Sequence, residues 1–111
     1  MPDIVLALDV DKNKAIELID KTSGIIKYFK IGQALFAEAP EIAGIINKAG
    51  ARILLDLKYN DIPTVIALAI KKASEKFCPF GFTLHISGGK KMLQAAAEAR
   101  NSIPKENRPV L

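Results

Sequence analysis

Apolar residues gather in four short runs, Ile4–Val10, Ile25–Ile31, Arg52–Lys58 and Phe80–Ile86, each followed by a stretch with helical spacing. The runs are short and nearly continuous in apolar character, so they predict strands covered on both faces, as in parallel sheets. Asp11 is placed to cap a helix over Lys12–Lys21, with Ala15, Leu18 and Ile19 on one side. Pro40 and Pro63 stand where proline opens a helix, predicting helices over Glu41–Lys48 and Thr64–Phe77. Gly50 marks the stop of the first of these. A last helix is expected over Lys90–Asn101, ended by Pro104, and Pro109-Val110-Leu111 reads as the start of a fifth strand.

Repeated βα units predict an α/β fold with a parallel sheet and right-handed crossovers. A flavodoxin-like open sheet and a (β/α)8 TIM barrel both meet that pattern, and a whole barrel takes about 250 residues. The 111 residues form one expected domain, 1–111, carrying four βα units, half a barrel. Half of the residues are apolar and the mean hydropathy is +0.17, which excludes disorder. Sixteen basic against twelve acidic side chains leave a net charge of +4. The lysines are dispersed, so no nucleic-acid partner is expected. A single cysteine, Cys78, makes neither an internal disulfide nor a zinc site alone and fits a reducing compartment. No apolar run approaches the ~20 residues that span a bilayer, and no basic leader precedes the first strand. The expected location is cytoplasmic, with no membrane partner.

Ions interrupt these apolar runs at one end only. Asp9 closes the first, Lys30 the second, Asp56 and Lys58 the third, and His85 the fourth. All stand at C-terminal strand ends, where α/β sheets and barrels carry their sites, and an unpaired buried charge is too costly to be a packing accident. Asp56 and Lys58 are two apart on a strand, which predicts one shared face and a spacing of roughly 6–7 Å. Asp61 follows just before Pro63. Two lysines and two aspartates in such an array hold one another ionised, and an ammonium so held is a proton donor to a developing carbanion.

These residues resemble the orotidine 5′-monophosphate decarboxylase family. The likeness lies in Leu6-Ala-Leu-Asp9, Lys30-Ile-Gly32, Asp56-Leu-Lys58-Tyr-Asn-Asp61-Ile-Pro63, Thr83-Leu-His85 and Gly88-Gly89, in the family's order and spacing. The resemblance implies an eight-stranded barrel, a homodimer with sites at its interface, and cofactor-free, metal-free conversion of orotidine 5′-monophosphate to UMP in pyrimidine biosynthesis. By position, Lys58 protonates C6, Asp56 lies by the substrate carboxylate, and Lys30 orients Asp56 and touches the ribose. Asp9 binds a ribose hydroxyl and Asp61 reaches the partner's site; Ile62 and Thr64 complete the substrate-binding set. The family usually reads Asp-Ile-Pro-x-Thr, whereas Thr64 follows Pro63 directly here. Its phosphate-gripping loops belong to the second half of the barrel.

Other readings compete. The related sugar-phosphate branch, the keto-gulonate phosphate decarboxylases and hexulose-phosphate synthases, shares the DxKxxD segment and uses magnesium. That branch carries Glu where Lys30 stands and a small residue with glycine where Ile62-Pro63 stands. A half-barrel without catalysis of its own is a third reading. Taken singly, Asp9 or Asp61 could cap the helix that follows it, Lys30 could snorkel to solvent, His85 could be a hydrogen-bonded strand end, Gly88-Gly89 a turn, and Cys78 inert.

Overall fold

The computed structural model describes residues 3–111; the Met-Pro opening lies outside them. In chain order the elements are β1 (Val5–Ala7), α1 (Lys12–Thr22), β2 (Tyr28–Gly32), α2 (Gln33–Glu38), α3 (Ile42–Lys48), β3 (Arg52–Tyr59), α4 (Pro63–Phe77), β4 (Gly81–Leu84) and α5 (Lys90–Asn101). Single 3-10 turns follow at Ile86–Gly88 and Lys105–Asn107. Each strand lies beside the next in sequence, β1-β2-β3-β4. The chain divides into two compact units, Met1–Asp56 and Leu57–Leu111.

In the first unit β1 and β2 run parallel with Ala7 opposite Lys30, and β2 and β3 run parallel with Lys30 opposite Leu54 and Gly32 opposite Asp56. The ladder outlasts β1, since the Leu8 N–H donates to the Lys30 carbonyl at 2.9 Å. Burial alternates along the strands. Phe29, Ile31, Ile53 and Leu55 are fully buried, with Ala15, Ile19, Ile42 and Ile46 from α1 and α3 also in the core. Tyr28, Lys30, Gly32, Leu54 and Asp56 take the intervening, half-buried positions. Cover on both faces was the expectation; period-two burial is the finding, with one face of the strands closed and the other carrying the polar residues.

Local signals account for most boundaries. Asp11 is the α1 N-cap, extended in backbone, its carboxylate accepting from the Lys14 N–H at 2.9 Å. That leaves no capping role for Asp9. Replacing Asp11 with alanine is expected to cost about 1 kcal/mol, read as a lower denaturation midpoint at unchanged slope. The α3 helix ends in a Schellman turn: Gly50, at φ 80°, donates to Asn47, and the Ala51 N–H donates to Ile46. The second strand starts at Tyr28 rather than Ile25, because the Ile25 and Ile26 N–H groups both turn back onto the Thr22 carbonyl. Ile25 is left exposed.

In the second unit Pro63 is the first residue of α4, as expected for a proline there. Ile66, Ile70, Phe82, Met92, Ala96 and Ala99 are among its buried apolar side chains. Cys78 closes α4 in the left-handed region at φ 45°, and its N–H donates to the Ser74 carbonyl at 3.1 Å. The 3-10 turn and α5 meet closely at Gly88, where any Cβ would collide with the Met92 side chain. The expected fifth strand is present as a parallel bridge between Gly81 and Val110, with Phe82 N–H to Val110 carbonyl at 2.9 Å and Val110 N–H to Phe80 carbonyl at 2.8 Å. No helix among the described residues is long and apolar enough to cross a membrane.

Candidate active site

The first unit supplies Asp9, Lys30 and Asp56. Lys30 and Asp56 lie on the half-buried face of β2 and β3, Lys30 at the centre of Tyr28–Gly32 and Asp56 past the middle of Arg52–Tyr59, so both strands run on beyond the ions expected to close them. The Lys30 ammonium stands 3.5 Å from Asp56 Oδ2, with side chains 29% and 13% exposed. A pair so placed adds at most about 1 kcal/mol to stability; its consequence is to fix a carboxylate and an ammonium side by side on one face of neighbouring strands. Asp9 lies two residues past β1, exposed, and its Oδ1 borders the Gly32 backbone, 3.8 Å from where a Cβ would stand. Since Gly32 also registers opposite Asp56, the two aspartates lie on either side of one glycine.

The second unit supplies Lys58, Asp61, Ile62, Thr64 and His85. Lys58 has φ 52°, in the left-handed region. A lysine has no side-chain device that favours this conformation, which costs an L-residue roughly 1–2 kcal/mol. Regular strand backbone is therefore interrupted at Lys58. Two contacts bracket the irregular backbone: the Lys58 N–H donates to Thr83 Oγ1 at 3.0 Å, and the His85 N–H donates to the Tyr59 carbonyl at 3.0 Å. The Tyr59 ring packs against Phe82 with centroids 5.8 Å apart, and burial pushes the Tyr59 phenol upward from its ordinary value.

A stability test follows from the Lys58 backbone. Lys58→Gly is expected to be more stable than Lys58→Ala by about 1 kcal/mol, the reverse of the usual order. Equal stability in denaturant would remove the left-handed backbone from the account.

Asp61 does not cap α4. The N-cap is Ile62, which makes no side-chain cap bond, and the Asp61 carboxylate accepts the Ile62 N–H at 2.7 Å. Asp61, Ile62 and Thr64 are all exposed, Thr64 in the first turn of α4. His85 is exposed just past β4, and Gly89, at φ 89°, is the N-cap of α5. Thr83 was not singled out for a role in the sequence. Its signal was a polar residue on the last turn of an apolar strand, two before His85.

Parallel strands alternating with helices define an α/β fold of the barrel type, and sequence and structure comparisons agree on its family. The chain belongs to the orotidine 5′-phosphate decarboxylase / HUMPS family, which it matches over residues 2–106. It is 40% identical over 100 residues to the orotidine 5′-phosphate decarboxylase of Saccharophagus degradans, covering 88% of this chain and 42% of that protein. With the same enzyme of Carboxydothermus hydrogenoformans it shares 36% over 95 residues, 84% of this chain and 39% of that one. The crystal structure of the Thermotoga maritima enzyme superposes with a TM-score of 0.72 at 32% identity, over 86% of this chain and 48% of that chain. The Methanocaldococcus jannaschii enzyme, in complex with the inhibitor BMP, gives 0.83 at 26%, over 99% and 50%. The fold is therefore that of the (β/α)8 barrel of these relatives, and the chain spans about half their length.

Proposed function

We propose that this chain carries the reacting half of an orotidine 5′-monophosphate decarboxylase site, working without a cofactor. The observation that carries this reading is the Lys30–Asp56 pair, 3.5 Å apart on β2 and β3, with Asp56 two residues before Lys58 in sequence. In the proposed reaction the bond from C6 to the carboxylate breaks, carbon dioxide leaves, and the electron pair left on C6 takes a proton from the Lys58 ammonium. Asp56 lies beside the departing carboxylate, with the Lys30 ammonium 3.5 Å from its Oδ2. Asp9 and Lys30 hold ribose hydroxyls. Asp61, free of helix-capping duty, reaches the site of a partner in a homodimer, and Ile62 and Thr64 line the substrate there.

The substrate class follows from Lys30 and from Ile62-Pro63, which occupy the positions where the sugar-phosphate branch resembles neither. The test is to incubate the chain with orotidine 5′-monophosphate in the presence of a chelator and follow the ultraviolet change to UMP. A parallel arm offers magnesium with a keto-gulonate phosphate. UMP formation in chelator is the expected result; turnover confined to the magnesium arm would move the chain to the other branch.

A further inference from the structure

The Lys58 turn raises a question that the reaction alone does not answer: what holds a lysine in a backbone conformation that lysine disfavours? Nothing in its own sequence does. Lys58 is flanked by Leu57 and Tyr59, with no glycine or asparagine beside the turn itself, and residues in the left-handed region persist only where their surroundings over-determine them. The surroundings here belong to the end of β4. Thr83 Oγ1 accepts the Lys58 N–H at 3.0 Å, a bond that the regular ladder would have given to a backbone carbonyl. One peptide further on, the His85 N–H donates to the Tyr59 carbonyl, also at 3.0 Å. The two bonds lie on either side of the turned residue, and the Tyr59–Phe82 ring contact braces the same stretch.

We infer that Thr83 is a positioning residue for Lys58: its hydroxyl fixes the left-handed turn and thereby aims the lysine ammonium. Threonine suits the task because its branched Cβ leaves few side-chain rotamers on a strand, so the oxygen is presented in one place. Valine has the same shape without the acceptor. Thr83→Val therefore keeps the branched shape and removes the acceptor of the Lys58 N–H; Thr83→Ser restores that acceptor. The inference rests on the decarboxylase reading for its kinetic consequence but not for its geometry.

The experiment uses the full chain as wild type, Thr83→Val and Thr83→Ser. Competitive acetylation of the lysines, read by mass spectrometry, gives the reactivity of Lys58 relative to the other lysines, and NMR coupling constants give the Lys58 backbone angle. Thr83→Val is expected to move both, and Thr83→Ser to restore both, at unchanged reactivity of lysines elsewhere. In a chain that turns over orotidine 5′-monophosphate, Thr83→Val is further expected to lower kcat about 10–100-fold with little change in KM, as for a displaced reacting group. An unchanged Lys58 angle and reactivity in Thr83→Val overturns the inference, as does unchanged kcat. A wild-type chain without turnover counts against the activity of this chain alone, and the lysine measurements then decide the role of Thr83 independently.

Discussion

On the proposed reading, and in a barrel completed by a second half, Lys58→Ala is expected to remove decarboxylation almost entirely while leaving the fold intact. A positioned general acid, the role proposed for Lys58, contributes about 10²–10⁴-fold to rate, and the other lysine of the proposed set, Lys30, is engaged with Asp56. The stability of the variant should hardly change. Lys58 is exposed, and alanine meets the same backbone penalty at φ 52° as lysine does, so the loss should stay within about 0.5 kcal/mol. Activity and stability are thus separable at this position. Steady-state turnover and a denaturant curve on the same preparation check both halves of the expectation. Normal turnover in Lys58→Ala would remove the proton-donor role, and a large loss of stability would mean that the lysine holds the fold.

The largest effect on stability is expected at Phe29. It is fully buried in the middle of β2, opposite Leu6 on one neighbour and Ile53 on the other. Truncation to alanine removes most of the buried side chain and leaves a cavity that the strands cannot close without breaking register, at a cost of about 3–5 kcal/mol. Domains of this kind have roughly 5–15 kcal/mol in total, so Phe29→Ala should lower Tm by more than about 10 °C. Because Lys30 is the next residue on the same strand, the loss also loosens the Lys30–Asp56 pair. A calorimetric scan of Phe29→Ala against an exposed substitution such as Lys48→Ala measures this. A shift of only a few degrees would mean that β2 is not the centre of the first unit's core.

The parts of the fold that rest on one residue's local chemistry were legible in the sequence. Asp11 caps, Pro63 starts and Gly50 stops because each acts on its own neighbours. The short α2 helix, Gln33–Glu38, carries no such signal: its N-cap is Gly32, which makes no side-chain bond. The start of β2 was misplaced because Ile25 and Ile26 look like strand residues. Their N–H groups instead go to Thr22, an interaction that apolar periodicity does not register. Cover on both faces was read from composition, yet alternation decided the outcome, since the polar residues of β2 and β3 share one face.

At the site, Lys30 and Asp56 stood out in the sequence as ions in apolar strands; both strands run on past them, and what pairs them is a shared face of neighbouring strands. The turn at Lys58 did not stand out, because a positive φ at lysine is imposed from outside the segment. Its cause lies 25 residues away in Thr83, visible in the sequence only as a polar residue in an apolar strand. Family resemblance suggested the reaction, and the structure adds the bond from the Lys58 N–H to Thr83 Oγ1.

The central claim is that the Lys30, Asp56, Lys58 and Asp61 array is a nucleotide decarboxylase site. Its most direct test joins residues 3–111 to the second half of the Saccharophagus degradans relative, so that the phosphate-binding half of the barrel is present. Conversion of orotidine 5′-monophosphate to UMP is then measured in chelator, with Lys58→Ala beside it. Lysine-dependent formation of UMP is the expected result. A folded fusion that binds the nucleotide and forms no UMP, or one that forms it equally well without Lys58, would contradict the account.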